Sequence, residues 1–402
     1  MRFAPEFFEE EIREGFTVTP MVKRAWAVCI EVLSEIDRIC KKFDIKYFAY
    51  YGTLLGAVRH SGFVPWDDDV DIMMLREDYE RFFEVAPGEL QYGFKARGHV
   101  AAEYDYGAMS SVVSREYLDP SEVHAAGEEE ILSDPQHGCP YVMGVDIYAF
   151  DYLPDDPEFW NTQRMLHMAA YDAAYRYEEL AKSGEIEELA GQLSSLTGIE
   201  LDPGKPMQPQ LFLMADRIAS MATESESSTV VWMQTTAKSD RFNNIDKHKF
   251  DTAKYIKFEN IEVPAPADSE EILTVLFGDF RKFVRFTSGH KYPVFKMQDE
   301  WLGRQIKPAV TIGVTGSAGE LGEAENGKLR DNGIKLCFPD GEDNESGFSE
   351  DVDAFFDGSE YKDAAEFEEA VLKLAIKIRG REIDKRIGFK EHDSFYYTDE
   401  LK

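Results

Sequence analysis

A dense group of carboxylates lies in the segment WDDDVDI, residues 66–72. Because side chains on a strand alternate between its two faces, Asp69 and Asp71 are expected to project to one side while the alternating apolar residues point into the core. Two neighbouring carboxylates repel each other, and burying them without a counter-charge costs several kcal/mol for each ion. Since carboxylate oxygens are the hard ligands that Mg²⁺ or Mn²⁺ prefers, the pair predicts a divalent metal cofactor.

A third carboxylate, Asp146, stands between apolar neighbours in the segment GVDI, residues 144–147. On a strand next to the first pair it could complete the cluster. Asp69, Asp71 and Asp146 are therefore the predicted metal ligands and the candidate catalytic residues.

Acidic runs are more often a solvated surface or a calcium loop than a catalytic site. The tightly interleaved apolar residues of this segment disfavour a solvated face. An EF-hand loop starting at Asp67 would need glycine in sixth place and glutamate in twelfth, where the chain has Ile72 and Asp78. A site for a metal ion that binds phosphates is therefore the stronger interpretation of this segment.

Gly52 and Thr53 follow a short aromatic strand predicted at residues 46–50. Glycine lets the backbone approach a ligand closely, and threonine adds a hydroxyl group. A helix starting at about Leu54 would point its free N–H groups at the same place, which makes an anion site. Together with the carboxylates, this predicts a pocket for metal-bound phosphates and a displacement at phosphorus, in which a carboxylate could accept the proton of an incoming hydroxyl.

The elements that must position these residues follow from apolar spacing and turn residues. A helix is predicted from Thr19-Pro20 to Phe43. The other predicted elements are strands at 70–74, 108–113 and 142–150, helices at 77–85 and 270–277, and a hairpin at 254–263. Helical patterns dominate at about 158–193 and 210–222.

The composition changes after about residue 300. Residues 301–402 are interpreted as an appended acidic segment, partly linker, with a helix at 364–387. The segment GVTGSAG, residues 313–319, lacks the Gly-Lys-Ser/Thr of a Walker A loop and does not match GxGxxG, so a flexible linker is the favoured interpretation.

The 402-residue chain has a formal net charge of −33 and no run rich in Lys or Arg, which argues against nucleic acid as a partner. Its 4 cysteines show no CxxC spacing, which suits a reducing compartment. The amino-terminal residues lack the pattern of a signal peptide, and no apolar stretch approaches 18 residues, so no transmembrane segment is predicted. A cytoplasmic protein is expected, either free or peripheral at the inner face of the cell membrane.

Two runs carry a resemblance to a known family: YFAYYGTLLGAVRH at 47–60 and GFVPWDDDVDI at 62–72. They closely resemble the signature of the LicD family, which includes bacterial phosphocholine transferases and is related to the fukutin-related ribitol-phosphate transferases. Further agreement lies at 146–154, at 258–264 and in the block LFGDF, residues 276–280, where phenylalanine replaces the tyrosine of the family's Tyr-Gly-Asp. The resemblance covers about residues 5 to 300.

The resemblance implies an α+β fold of the nucleotidyltransferase type, a small mixed sheet flanked by helices with a mostly helical second half. Residues 1–300 would form the catalytic region, with a core at 20–155 and a helical part at 156–300. Gly52 and Thr53 correspond to the family's phosphate-contacting turn. Asp69 and Asp71 match its metal-binding pair, and Asp146 is the best candidate for the third carboxylate.

The sequence leaves the roles of other residues of the motif undecided. Asp67 and Asp68 could shape the loop or bind a second ion. Arg59 and His60 could contact a phosphate or an acceptor sugar, while Arg59 could equally pair with an aspartate. Trp66 is expected to pack the loop rather than to stack on a base.

The activity that the resemblance implies is transfer of a substituted phosphate, such as phosphocholine, from a CDP-linked donor to a sugar hydroxyl. The acceptor would be a cell-surface glycan or its lipid-linked precursor, such as lipopolysaccharide, teichoic acid or capsule. Two alternatives remain: an enzyme that transfers the nucleotide itself to a small-molecule hydroxyl, and a catalytically silent glycan-binding scaffold.

Overall fold

A computed structural model describes residues 3–91, 93–97, 111–115, 137, 139, 141, 143–238, 243–285, 292–293, 310–315, 334–337, 354–357 and 371 of the chain. The described residues divide between two compact units, one drawn from residues 1–115, 143–293 and 389–402 and the other from residues 116–142 and 294–388. All of the predicted site residues lie in the first unit.

The first unit is organised around a seven-stranded mixed sheet, with two separate hairpins, β1–β2 and β10–β11. In chain order the strands are β1 (Glu11–Arg13), β2 (Phe16–Val18), β3 (Phe48–Ala49), β4 (Asp71–Leu75), β5 (Phe94–Arg97), β6 (Ser111–Arg115), β7 (Met143–Pro154), β8 (Ser227–Val231), β9 (Ile245–Asp246), β10 (Ala253–Phe258) and β11 (Ile261–Pro266). The main sheet has the order β3-β4-β7-β6-β5, with β8 also paired to β7 and β9 to β8. Strands β4 and β7 are parallel, and the other neighbours in this sheet are antiparallel.

Helices flank the sheet and dominate the second half of the first unit. In chain order they are α1 (Pro20–Phe43), α2 (Tyr51–His60), α3 (Arg76–Glu89), α4 (Pro157–Tyr175), α5 (Tyr177–Ser183), α6 (Ile186–Thr197), α7 (Met207–Ala219), α8 (Met233–Lys238) and α9 (Ser269–Phe277). Single turns of 3₁₀ helix occupy Pro5–Phe8, Glu224–Glu226 and Lys247–Phe250. A mixed sheet flanked by helices confirms the predicted α+β class. No helix among the described residues is long and apolar enough to cross a bilayer.

Helix α1 confirms the helix predicted from Thr19 onward. The Thr19 hydroxyl oxygen accepts a hydrogen bond from the Val22 amide at 3.4 Å, and Pro20 takes the first helical position, where an N–H would have no helical partner. The helix ends at Phe43, and the residue that follows, Asp44, has a φ of 55° in the left-handed region. Its buried face, which includes Trp26, packs on β6 and β7 and covers one side of the sheet.

Several other predicted elements are confirmed. Strands β4 and β7 match the strands predicted at 70–74 and 142–150, and β7 runs on to Pro154 because its second half pairs with β8. The hairpin β10–β11 and helix α9, which Gly278 ends with a φ of 66°, also match. Strand β6 overlaps the strand predicted at 108–113, whose first three residues lie outside the described residues.

One predicted helix is too short, and one predicted helical region contains several helices. The end predicted for the helix at 77–85 is wrong, because α3 stays helical to Glu89 and the Leu90 amide still donates to the carbonyl of Ala86. The mainly helical region predicted at 158–193 is confirmed and contains three helices, α4, α5 and α6. Gly184, with a φ of 78°, adopts the left-handed conformation that ends α5.

A buried ionic network ties the sheet to the helices of the second half. Arg76 opens α3, and its Nε donates to Asp151 of β7 at 2.7 Å. Its Nη1 and Nη2 donate to the two carboxylate oxygens of Asp216 on α7, at 3.2 and 3.1 Å. No member of the network is more than 6 % exposed. The guanidinium therefore joins α3, β7 and α7 through charged groups that have little access to water.

The second unit contains a parallel sheet of order β13-β12-β14, made of β12 (Val310–Thr315), β13 (Ile334–Cys337) and β14 (Ala354–Asp357). The linker interpretation of residues 313–319 is therefore wrong for its first three residues. They belong to β12, whose sequence VTIGVT is rich in the β-branched residues that favour strands. The helix predicted at 364–387 lies outside the described residues, except for Val371.

The free energy of unfolding is expected to depend on pH through His167 of α4, which is fully buried. Neither of its ring nitrogens has a hydrogen-bond partner among the described residues. Burial lowers the pKa of His167 to about 4, against an ordinary value of about 6.5. Between these two values the unfolded chain binds a proton that the folded chain does not, so stability should fall as the pH falls.

The variant His167→Leu should lack this loss, which amounts to about 2–3 kcal/mol at pH 4.5. Urea unfolding of both proteins at pH 7 and pH 4.5 measures the difference. The matched control is His248→Leu, since the side chain of His248 is 67% exposed. Identical pH dependence in the wild type and His167→Leu would contradict a neutral, buried imidazole.

Candidate active site

The site is built where β4 and β7 lie side by side. Asp71 begins β4 and pairs in register with Asp146 of β7. The Asp146 amide donates to the carbonyl of Val70 at 2.9 Å, which fixes this register. Residues that pair in register on parallel strands project to the same face of the sheet. Two carboxylates that lie far apart in the sequence are thus brought to one face, as the sequence predicts.

The carboxylates of Asp67, Asp68 and Asp69 form a second group, in the loop that enters β4. One oxygen from each lies within 4.8 Å of the others. Burial raises the pKa of the Asp67 carboxyl well above its usual range, and the charges of Asp69, Asp68 and then Asp71 raise it further. The three carboxylates that lie close together are therefore those of residues 67–69. That Asp69, Asp71 and Asp146 bind one metal ion together stays a prediction.

Helix α2 begins beside these carboxylates. It starts at Tyr51, not at the predicted Leu54, so Gly52 and Thr53 lie in its first turn rather than before it. The first hydrogen bond of the helix runs from the Leu54 amide to the Tyr50 carbonyl at 3.0 Å. The amides of residues 51–53 therefore lie before the helical hydrogen bonds and are available to an anion.

Thr53 holds the helix against the strand. Its hydroxyl oxygen accepts a hydrogen bond from the Asp71 amide at 2.8 Å, and its side chain is almost fully buried. The contact fixes the start of α2 relative to Asp71. The predicted role of Thr53 as a phosphate ligand stays a prediction, since the hydroxyl hydrogen remains free to donate.

Gly52 leaves the space that the Asp67 carboxylate occupies, because a Cβ at position 52 would overlap Asp67 Oδ2. The variant Gly52→Ala must displace either that carboxylate or the helix start. Turnover should then fall about a hundredfold, because small displacements of a catalytic group have effects of this size. Steady-state kinetics of the purified variant measure the loss.

The control for this prediction is Gly191→Ala in α6, where a Cβ would meet no atom within 4 Å. That substitution should leave turnover unchanged and stabilise the helix by about 0.5–1 kcal/mol. If Gly52→Ala keeps full turnover, the close approach of α2 to Asp67 does not matter to the chemistry.

The loop between α2 and the carboxylates is clamped by Glu259, in the turn of the β10–β11 hairpin. Its carboxylate accepts from the Phe63 amide at 3.0 Å and forms a two-pronged ion pair with Arg13. Its own amide donates to the Ser61 carbonyl at 2.9 Å. The sequence offered Glu259 only as part of a family motif, and its clamping role depends on a hairpin nearly 200 residues away from the loop.

Arg59 and His60 are occupied at the end of α2. Arg59 Nε donates to His60 Nε2 at 2.8 Å and its Nη1 donates to the Phe280 carbonyl at 2.9 Å. The guanidinium also lies over the ring of Phe283, 4.7 Å from its centroid. Burial, and then the positive charge of Arg59, lower the pKa of His60 to about 4, so its imidazole is neutral at pH 7.

These contacts place Arg59 on the α9 side of the fold rather than in a pair with an aspartate. Trp66 is buried, and its Nε1 donates to the Val284 carbonyl at 3.0 Å. The prediction that Trp66 packs the loop agrees with this position. Contact of Arg59 or His60 with a phosphate or a sugar stays a prediction.

Three aromatic residues border the carboxylates and were not singled out from the sequence. We call Tyr51, Tyr148 and Trp232 the aromatic triad. The hydroxyl of Tyr148 donates to Asp71 Oδ1 at 3.0 Å. Tyr148 stands two residues after Asp146, so strand alternation could have placed it on the same face. Trp232 follows β8, and nothing in its local sequence indicates this position.

The donor set fits a divalent cation. Carboxylate oxygens are the ligands that Mg²⁺ and Mn²⁺ prefer, and several of them converge here. The absence of a side chain at Gly52 leaves room for the Asp67 carboxylate beside the start of α2. The residues that could hold the ion are Asp67, Asp68, Asp69, Asp71 and Asp146.

Comparison with known proteins finds a family match in this region of the chain. Residues 44–123 match a family described as LicD/FKTN/FKRP, nucleotidyltransferase domain. The chain is 31% identical over 133 residues to the lipopolysaccharide cholinephosphotransferase LicD of Haemophilus influenzae, a match that covers 33% of this chain and 44% of that protein.

Two uncharacterized rickettsial proteins also match. The chain is 39% identical over 67 residues to one from Rickettsia typhi, which covers 17% of this chain and 22% of that protein. It is 39% identical over 64 residues to one from Rickettsia prowazekii, covering 16% and 24%. The chain thus spans less than half of the length of these curated relatives.

Proposed function

Since residues 44–123 are a domain of the LicD family, we propose that this protein is a metal-dependent phosphotransferase. It moves phosphocholine, or a closely related substituted phosphate, from a CDP-linked donor to a sugar hydroxyl of a cell-surface glycan such as lipopolysaccharide. The name of the Haemophilus relative supports the choice of head group and acceptor.

The observation that carries this proposal is the in-register pair Asp71–Asp146 beside the start of α2. Carboxylates on one face of the sheet can hold a divalent cation, and the free amides of α2 can hold phosphate oxygens. Such a combination suits a diphosphate better than a neutral ligand. A bound cation would neutralise and orient the phosphates of the donor.

Residues of the chain are proposed to bind the donor phosphates and to accept the proton of the acceptor hydroxyl. The first-turn amides of α2 bind the donor phosphates, and Thr53 keeps that turn in place against Asp71. The acceptor hydroxyl oxygen forms a new bond to the phosphorus that carries the head group, while the bond from that phosphorus to CMP breaks. Asp146, on the same face of the sheet as Asp71, is the proposed acceptor of the hydroxyl proton.

The test is direct. The purified protein is incubated with CDP-choline, Mg²⁺ and a glycan acceptor, and release of CMP is followed together with transfer of labelled choline to the acceptor. We expect CMP release that depends on the metal and on the acceptor. No release of CMP from any CDP-linked donor, including CDP-alditols, with lipopolysaccharide or teichoic acid as acceptor, would contradict the proposal.

The family description favours one second candidate, an enzyme that transfers the nucleotide itself. The products separate the two reactions, because nucleotide transfer from a triphosphate releases pyrophosphate while head-group transfer releases CMP. A silent binding scaffold would release neither product. Calorimetry with CDP-choline and Mg²⁺ then reports whether the carboxylates still support nucleotide binding.

A further inference from the structure

We propose that the aromatic triad is a subsite for a quaternary ammonium head group, and that Tyr51, Tyr148 and Trp232 determine the choice of donor. This rests on the proposed function, since it assigns one part of the donor to one part of the same site. Nothing in the carboxylate cluster explains how a head group would be chosen, because metal and amides contact only the phosphates.

The three rings form one compact cluster. Their centroids are 5.5 Å apart for Tyr51 and Tyr148, 4.5 Å for Tyr148 and Trp232, and 6.2 Å for Tyr51 and Trp232. All three pairs are tilted edge to face, at interplanar angles of 65° to 87°. A cation that sits over such a cluster can lie within about 6 Å of every centroid, the range in which ring faces attract positive charge.

Two rings of the cluster are buried, and the third is partly exposed. Tyr148 and Trp232 are only 6% and 8% exposed, whereas Tyr51 is half-buried at the start of α2. The Trp232 Nε1 is buried and has no hydrogen-bond partner among the described residues. An indole N–H is usually satisfied when it is buried, so a bound ligand could supply the partner that this donor lacks in the described part of the chain.

The cluster adjoins the reacting centre. Tyr148 bonds to Asp71, and Tyr51 precedes the free amides of Gly52 and Thr53. In phosphocholine, one oxygen and two methylene groups link the phosphorus to the nitrogen. A phosphate held at the start of α2 therefore leaves the ammonium group within reach of the neighbouring rings.

The chemistry of the triad favours one class of head group. A trimethylammonium group is apolar on its outside and has no N–H to satisfy, so it loses little when aromatic rings replace water. A primary ammonium such as that of ethanolamine has three donors, and a polyol such as ribitol has several hydroxyls. Burial against ring faces would leave those groups without partners.

The experiment measures CMP release from CDP-choline and from CDP-ethanolamine in variants matched for shape. Tyr51→Phe and Trp232→Phe keep a ring, while Tyr51→Leu and Trp232→Leu remove it. The wild type should prefer CDP-choline, the two leucine variants should lose that preference about tenfold or more, and the two phenylalanine variants should keep it within about threefold. Thermal melting checks that each variant is folded, and the half-buried Tyr51 pair decides the matter if Trp232→Leu unfolds.

The outcomes separate this inference from the proposed function. The subsite would be overturned if the wild type turned over both donors equally well, or if both leucine variants kept the wild-type preference for CDP-choline. In either case the proposed phosphotransferase activity would stand. If no CDP-linked donor reacts, binding of tetramethylammonium is followed by ligand-observed NMR. Binding that Tyr51→Leu removes and Tyr51→Phe keeps would support the subsite alone, and no binding would overturn it.

Discussion

Replacing Asp71 with asparagine is expected to slow CMP release from CDP-choline by about 10²- to 10³-fold. Asparagine keeps the shape of the side chain and can still accept from the Tyr148 hydroxyl, which donates to Asp71 at 3.0 Å. The change removes one negative charge from the group that is proposed to hold the divalent cation. The Asp71 amide, which donates to Thr53, is untouched, so α2 should stay in place.

Two controls belong to this prediction. Asp172→Asn makes the same chemical change on α4, where the carboxylate is 57% exposed, and should leave turnover unchanged. Tyr148→Phe removes the hydrogen bond to Asp71 but keeps the charge, so its effect should be much the smaller of the two. Full turnover in Asp71→Asn, with the same dependence on Mg²⁺, would show that this carboxylate is not part of the metal site.

The largest effect on stability is expected from Arg76→Met, which should lower the free energy of unfolding by about 3–5 kcal/mol. The substitution leaves Asp151 and Asp216 buried without the guanidinium that bonds to both. A buried carboxylate that loses its partner either stays charged at high cost or takes up a proton. Urea unfolding at pH 7 measures the change.

The triple variant Arg76→Met, Asp151→Val, Asp216→Leu shows where the loss comes from. Replacing a whole buried ionic network by apolar side chains is often neutral, so the triple variant should regain at least half of the stability that Arg76→Met loses. Arg176→Met offers the surface control, because the pairs of Arg176 with Asp172 and Glu179 are largely exposed and should matter little. If Arg76→Met is as stable as the wild type, the network does not hold α7 to the sheet.

Much of the site could be predicted because its signals are local. Strand alternation and apolar neighbours place Asp71 and Asp146 on strands, and the residue types alone indicate a hard cation. That the two strands are neighbours in register is a fact of the sheet, which no local pattern encodes. The sequence could suggest that Asp146 completes the cluster, but only the pairing of β4 with β7 brings it beside Asp71.

The parts that escaped prediction depend on long-range contacts. The start of α2 at Tyr51 is unexpected because Tyr51 has a φ of 37°, a conformation that residues with a side chain rarely adopt. This turn is held by the packing of Tyr51 against Tyr148 and by the hydrogen bond from the Asp71 amide to the Thr53 hydroxyl. Trp232 reaches the site only because β8 pairs with the far half of β7. Each of these follows from tertiary structure, which overrides local preference.

The central claim is that Asp71 and Asp146 share one divalent cation beside the first turn of α2. Anomalous diffraction from crystals grown with Mn²⁺ and CDP tests it most directly. We expect a single strong peak within coordination distance, about 2.1 Å, of carboxylate oxygens from both residues, with a phosphate of CDP at the amides of residues 51–53. A manganese ion held elsewhere, with Asp71 and Asp146 turned away from it, would contradict the claim.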